Sequence, residues 1–439
     1  MTMLWKTAGA LARGVWRKTS SWRRSSRFMQ GRNQLAISPT IVQGLRRTVR
    51  MEQTRNENEE LDPEYRRTAN SNLSHADKKI AQIVRETTIW NQNNVTRTQA
   101  YWNICQDHPE LHWALLAHMV SRNSGWAMTD LKGEWLPKLL PAEIAEAHFE
   151  LLETCNALIF RDAYPQLRLY TESLQSGAPL FRLLPEFGVS AFMPPIWERF
   201  WELQQLRNAK AGSTQPMEAR SASALITVAL IVNEQHVIEE PVIRNPHYRD
   251  RVLSSASFRM MPLMQTNQIV FPMLSTGKHD RKLPLRLVGK VLENFADLQE
   301  RIAFGKCLYA MLFGYPIVRE RVAAFAKEHP HTGSRADYWP QRFCAAPNRI
   351  GGPHSPRVDC AGRRWHSPAL TSVWPDRPLP ELPLRDWFRA DGGQDAFAWL
   401  TSPKPPLIFD MTDEHMLGQR KFQAATQLAA EASSDEETT

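Results

Sequence analysis

Residues 94–135, NVTRTQAYWNICQDHPELHWALLAHMVSRNSGWAMTDLKGEW, decide the class of the fold. From Leu111 to Val120 the chain is apolar nearly all round, the mark of a helix buried on every side rather than lying on a surface. Pro109 suits a first helical position, so this helix is expected to start at His108-Pro109 and to stop near Gly125. Ahead of it, Thr96-x-x-Gln99 has the form of a capping box, followed by Ala100, Tyr101 and Ile104.

Helical spacing continues in both directions. Ser74-His-Ala-Asp77 repeats the capping form before Ile80, Ile83, Val84 and Thr87, and Pro141 opens a helix with Ile144, Ala147, Leu151, Cys155, Leu158 and Ile159 on one face. Further helices are predicted over 165–174, 195–206, 225–238, 288–313 and 316–327. Residues 224–232 are β-branched enough for a buried strand, but only residues 268–271 otherwise look extended, and a lone strand cannot satisfy its backbone. The predicted class is therefore all-α: a multi-helix globular body with an irregular Pro/Trp-rich C-terminal wrap. Twelve prolines from Pro340 to Pro406 preclude long helices there, while Trp365, Trp374, Trp387 and Trp399 argue for an ordered wrap over the body.

The 439 residues and 50.4 kDa are too many for one typical core. The division read from composition is a basic, disordered arm with an acidic linker over 1–73, a helical domain over 74–340, a Pro/Trp-rich extension over 341–410, and a short helix with an acidic tail over 411–439. The net charge of +8 comes from the arm: residues 1–50 hold eleven Lys/Arg and no acid, leaving 43 basic against 46 acidic residues and a net of −3 for the rest. A near-neutral body disfavours nucleic acid as the partner. For the arm itself, with Trp5, Trp16 and Trp22 among its cations, four readings stand: a transit peptide, a basic helix lying on an anionic membrane surface, disorder, or translation that begins at Met51. Five cysteines without C-x-x-C spacing fit free thiols in a reducing compartment, and no apolar stretch approaches the roughly twenty residues of a spanning helix. The expected setting is cytoplasmic, with peripheral membrane attachment if the arm binds lipid.

Polar residues that interrupt apolar helices mark the candidate site. His118 and Arg122 share a face of the buried helix, with Asn123 and Asp130 at its exit, and a buried cation or imidazole needs partners. In the NEQ that ends another apolar run, Glu234 shares a face with Ile238 and is predicted to point inward with Arg122 as its counter-ion, while Gln235 shares the next face with Glu239. His331, Arg335 and Asp337 sit in a donor-rich loop where the helices give way to the wrap. The candidate cleft is therefore His118, Arg122, Asn123, Asp130, Glu234, Gln235, His331, Arg335 and Asp337; it either binds a ligand or is a satisfied polar network joining helix to loop.

Weaker signals lie elsewhere in the chain. His279-Asp280 is the adjacent pair that metal-dependent phosphohydrolases of the HD class use, with His247 and Asp337 at plausible separations, but the pair lies in a polar loop rather than an apolar helix. Cys344, His354, Cys360 and His366 match no standard zinc spacing. There is no G-x-x-x-x-G-K-[ST], G-x-S-x-G or H-E-x-x-H, so the common nucleotide, hydrolase and protease routes receive no support and the cofactor is unknown.

The motif HPELHWALLAHMVSRNSGWAMTDLKG, with ALIVNEQHVIEEPV over 229–242 and ERIAFGKCLYAMLFG over 300–314, resembles the YppC-like domain of unknown function of spore-forming Gram-positive bacteria. The resemblance covers about residues 75–340. It implies a bacterial cytosolic setting, which weakens the transit-peptide reading, and it implies no reaction. Two functions follow: a ligand-binding or hydrolase-like protein with a cleft formed by the HWALLAHMVSRN and NEQ motifs, or an interaction protein held at an anionic membrane by residues 1–50.

Overall fold

The computed structural model describes residues 16–29, 31–33, 35–59, 73–209, 221–255, 258, 267–274, 285–345, 364–378, 386–390 and 395–436. Long helices are α1 (residues 16–28), α2 (Pro39–Glu59), α3 (Leu73–Trp90), α4 (Asn94–Asp107), α5 (His112–Asp130), α6 (Ala142–Ser176), α7 (Pro194–Ala209), α8 (Ala222–Val237), α9 (Leu298–Gly314), α10 (Pro316–Glu328) and α11 (Thr412–Glu436). Two small two-stranded sheets complete it: β1 (Gln268–Met273) antiparallel to β2 (Arg286–Val291), and β3 (Phe343–Cys344) parallel to β4 (Trp365–His366). The all-α body with an irregular C-terminal wrap is as the sequence indicates.

At the centre is α8, buried from Ala222 to Asn233 and packed on α5, α6, α7 and α9. Its β-branched run is helical because four helices pack around it. The buried helix of the opening stretch is α5, which meets α4 through Tyr101 and Trp113, edge to face at 5.3 Å. It starts later than expected, at His112, and runs through Gly125 to Asp130. Gly125 stays inside the helix for lack of room: a Cβ there would lie 2.4 Å from Asn94 Oδ1 and 2.7 Å from the His331 ring.

Three other boundaries differ from expectation. Asn93, not Thr96, caps α4; its side chain accepts the N–H groups of Val95 and Thr96, and the Thr96 hydroxyl accepts the Asn93 N–H. Pro165 does not start a helix but lies inside the 35-residue α6. Residues 288–291 belong to β2, and the helix after them waits for the Asp297 cap. The short hairpin holds because both its edges are covered. Asn123 exchanges two hydrogen bonds with the Val270 backbone, at 2.9 and 3.0 Å, and on the other side Gly289 N–H donates to Phe409 and Met411 N–H to Leu287.

The wrap is fastened by its tryptophans. Trp374 donates to the Met128 carbonyl at 2.9 Å and stacks on Phe149, and Trp387 donates to Asn233 and stacks on His236. The basic arm, expected to be disordered, is helical over α1 and α2. Phe28, Ile41, Leu45 and Val49 are buried in the main core, and Arg24 pairs with Asp410 at 3.0 Å and Asp413 at 2.6 Å. The amphipathic spacing of these apolar residues outweighs the charge that suggested disorder. Residues 1–15 and the 60–72 linker lie outside the described residues. At the other end α11 is long and takes in Glu431, Asp435 and Glu436. Cys105, Cys155 and Cys307 are free, whereas Cys344, expected as a thiol, is disulfide-bonded. Among the described residues no helix is long and apolar enough to cross a membrane.

Candidate functional site

The exit of α5 and the loop after α10 meet in a buried polar cluster. Arg122, 1% exposed, donates to the His329 carbonyl at 2.7 Å and the Tyr338 hydroxyl at 3.3 Å, between the Phe325 and Tyr338 rings. Asn94 donates to the Ser121 carbonyl, so its Oδ1 is the acceptor for His331 Nε2–H at 2.9 Å. His331 Nδ1 then carries no proton and lies 3.9 Å from the Asp337 carboxylate. His118 donates from Nδ1 to the Thr98 carbonyl at 2.9 Å. Burial, with the Arg122 cation next in importance, pushes the His118 imidazolium down to about 3 and His331 well below its ordinary range. Both rings are neutral at physiological pH. Asp337 accepts from the Thr332 N–H and hydroxyl, yet burial still raises its pKa.

One step further along α5, Asp130 accepts Arg335 Nε and Nη2 at 2.8 and 2.6 Å, and the guanidinium lies 3.7 Å from the Trp126 ring centroid. Arg335 Nη1 is buried with no acceptor, and so is Trp135 Nε1. Both residues line a narrow cleft, together with Glu134, His366, His415 and Gln419. The neighbouring groups are committed. Glu134 takes Lys138 at 3.0 Å, and His415, pushed down to about 3 by burial and then by Arg335, lies between Gln268 Oε1 and Gln419 Nε2. The wall thus offers hydrogen-bond donors and flat rings, and the His415 imidazole on it is uncharged.

The predicted residues therefore divide. His118, Arg122, Asp130, His331, Arg335 and Asp337 gather between α5 and the 329–338 loop, whereas Asn123 serves the β1 edge. Glu234 and Gln235 do not join them, and the expected Arg122–Glu234 pair is not formed. Glu234 instead accepts Trp113 Nε1–H at 3.0 Å, and Gln235 accepts from Arg301 at 2.9 Å. The reason lies in the helices: α8 ends beside α9, and the cation there is Arg301, which also binds Glu239. Burial raises Glu234 to about 8, and the neighbouring charge that adds to the rise is Asp162. The weak metal candidates do not converge either. His247 bonds Glu150 at 3.1 Å on the surface, Asp337 is held by Thr332, and His279 and Asp280 lie outside the described residues. Among the described residues no group of three His, Cys, Asp or Glu side chains could hold a metal.

Asn94, Trp126, Trp135, His415 and Gln419 were missed. The two tryptophans stand in the opening stretch, and His415 and Gln419 lie four apart on one face of α11, but nothing local ties that helix to α5.

Residues 90–405 match the family described as a protein of unknown function (DUF2515). The match runs through the Pro/Trp-rich wrap, beyond the 75–340 of the resemblance read from the sequence, and stops short of α11. The "Uncharacterized protein YppC" of Bacillus subtilis (strain 168) is 38% identical over 260 residues, covering 59% of this chain and 73% of that protein. No solved structure matches. The chain, matched by the family over residues 90–405 and 38% identical to the Bacillus protein over 260 residues, belongs to the DUF2515 family.

Proposed function

We propose that this chain binds a small polar ligand in the cleft between α5, the 335–343 segment and α11, through a carbonyl or carboxylate oxygen on that ligand. The observation that carries the reading is the pair of buried donors, Arg335 Nη1–H and Trp135 Nε1–H, which line one cleft and lack acceptors. A buried unmade hydrogen bond costs about 1–3 kcal/mol, so an acceptor oxygen there recovers energy at both donors. Hydrolysis is left aside, since Asp130 is committed to Arg335, Glu134 to Lys138 and His415 to two glutamines.

Acetate and acetamide are suitable fragment probes. Each should raise the melting temperature saturably, and Trp135→Phe, which removes one donor and keeps the ring, should weaken the effect about fivefold, the equivalent of roughly one neutral hydrogen bond. Unchanged melting with both probes sinks the proposal.

A further inference from the structure

The arm docks through one face and leaves another open. On α1, Ser21, Ser25 and Phe28 are buried, while Trp16 is 68% and Trp22 49% exposed, with Lys18, Arg23 and Arg27 exposed beside them. The segment 402–410 runs against the same region: Ser402 accepts the Ile37 N–H at 2.9 Å, and Ser25 accepts the N–H groups of Phe409 and Asp410, each at 3.0 Å. Leu407 and Ile408, immediately before that pin, are 74% and 45% exposed, and Lys404 is exposed as well. Two separate stretches of chain thus bring protruding aromatic and aliphatic side chains together with cations. Asp410 and Asp413, the acids that bond to α1, are both taken by Arg24. Residues 1–50 contain no acid at all.

We propose that the surface formed by α1 and residues 404–408 is a docking face for an anionic lipid bilayer. Tryptophans and leucine or isoleucine enter the headgroup and upper acyl region, and the surrounding cations meet lipid phosphates; the pairing of exposed apolar tips with uncompensated positive charge is the chemistry of an interfacial anchor. Nucleic acid would use the cations but gain little from Leu407 and Ile408. The anchor is preformed, because α1 is already folded against the body, so binding does not have to order it. The proposal is independent of the cleft, which lies on other elements.

The test is co-sedimentation of the full chain with two kinds of vesicle, phosphatidylglycerol mixed with phosphatidylcholine and phosphatidylcholine alone. Binding is expected to the first, to be much weaker to the second, and to decline as salt rises. Reversing two cations in Arg23→Glu with Arg27→Glu should weaken it by about thirtyfold or more, on the basis of about fivefold per cation lost. Trp22→Ser with Leu407→Ser should weaken it too, without reducing its salt dependence. Both substituted pairs are exposed, so unchanged circular dichroism and melting are expected and serve as the folding control. Equal binding to both vesicles, binding to neither, binding to duplex DNA in place of vesicles, or retention of full binding by the Trp22 and Leu407 variant would each overturn the proposal.

Discussion

Asp162 shows most plainly how a single buried group sets the behaviour of this chain. Its Oδ2 accepts from Gln166 at 2.7 Å and Asn233 at 2.5 Å in the middle of the core. Burial outweighs those two bonds and raises it from 3.8 to about 7, so in the folded chain it is neutral below about pH 7. In the unfolded chain it ionises at the ordinary value, and between the two values the folded state holds the extra proton. Stability from this group is therefore full below 3.8 and lost as pH rises through about 7. Asp162→Asn keeps an oxygen for both amide donors and removes the titration. It should be nearly neutral at about pH 4 and stabilising at about pH 8, by on the order of 2 kcal/mol. Urea melts at the two values measure this, and a difference independent of pH would refute it. Glu234, raised to about 8, leaves part of the pH dependence in the variant. The sequence read Glu234 as pointing inward with Arg122 as its counter-ion; Glu234 is half-buried and its actual surroundings were not legible, because Trp113, Asp162 and Arg301 come from three other helices.

Among elements, α4 and the β1–β2 hairpin mark where local pattern suffices and where it does not. The capping signal near residue 96 was legible, but both Asn93 and Thr96 are cap-forming types, and only the backbone decides that Asn93 stands outside the helix, with φ −155°. Asn93→Ala should cost about 1 kcal/mol for the cap, and it also removes the 2.8 Å bond to Asp376 that ties the wrap to this corner. A chemical melt that shows no loss would mean that Thr96 alone sustains the helix start. Helices with long apolar spacing were readable because the 3.6-residue period is a local property. The hairpin was only half readable: residues 268–271 look extended, but 288–291 read as helix, and one edge is completed by the side chain of Asn123, a residue about 150 positions away that has no periodic signature. The same limit applies to Pro165. A proline normally opens or ends a helix, and only packing along both halves of α6 holds it inside one.

At the scale of the whole molecule, the composition break near Met51 suggested a body that folds without its arm, and the structure argues the opposite. Ile41, Leu45 and Val49 on α2 are buried with the main core, and Arg46 reaches Asp395 at 2.7 Å. Ser25 on α1 satisfies two backbone N–H groups of residues 409 and 410, next to the point where Phe409 and Met411 cover the edge of β2. Asp410, whose side chain has no exposed surface, depends on Arg24 at 3.0 Å, and the other cation near it, Arg286, is 3.8 Å away. Removing the arm would strip a buried carboxylate of its main partner, a change that typically costs about 3–5 kcal/mol, and would uncover an apolar face as well. A chain that begins at Met51 should therefore melt well below the full chain and bind a hydrophobic dye. Arg24→Met in the full chain separates the two contributions: it should reproduce the loss of the ion pair, a few kcal/mol at neutral pH, without the dye binding. Its effect should shrink on acidification, because a protonated Asp410 no longer needs the cation. Coincident melting curves for the Met51 chain and the full chain would show that α1 and α2 ride on the body without supporting it, and would restore the reading of a separable arm.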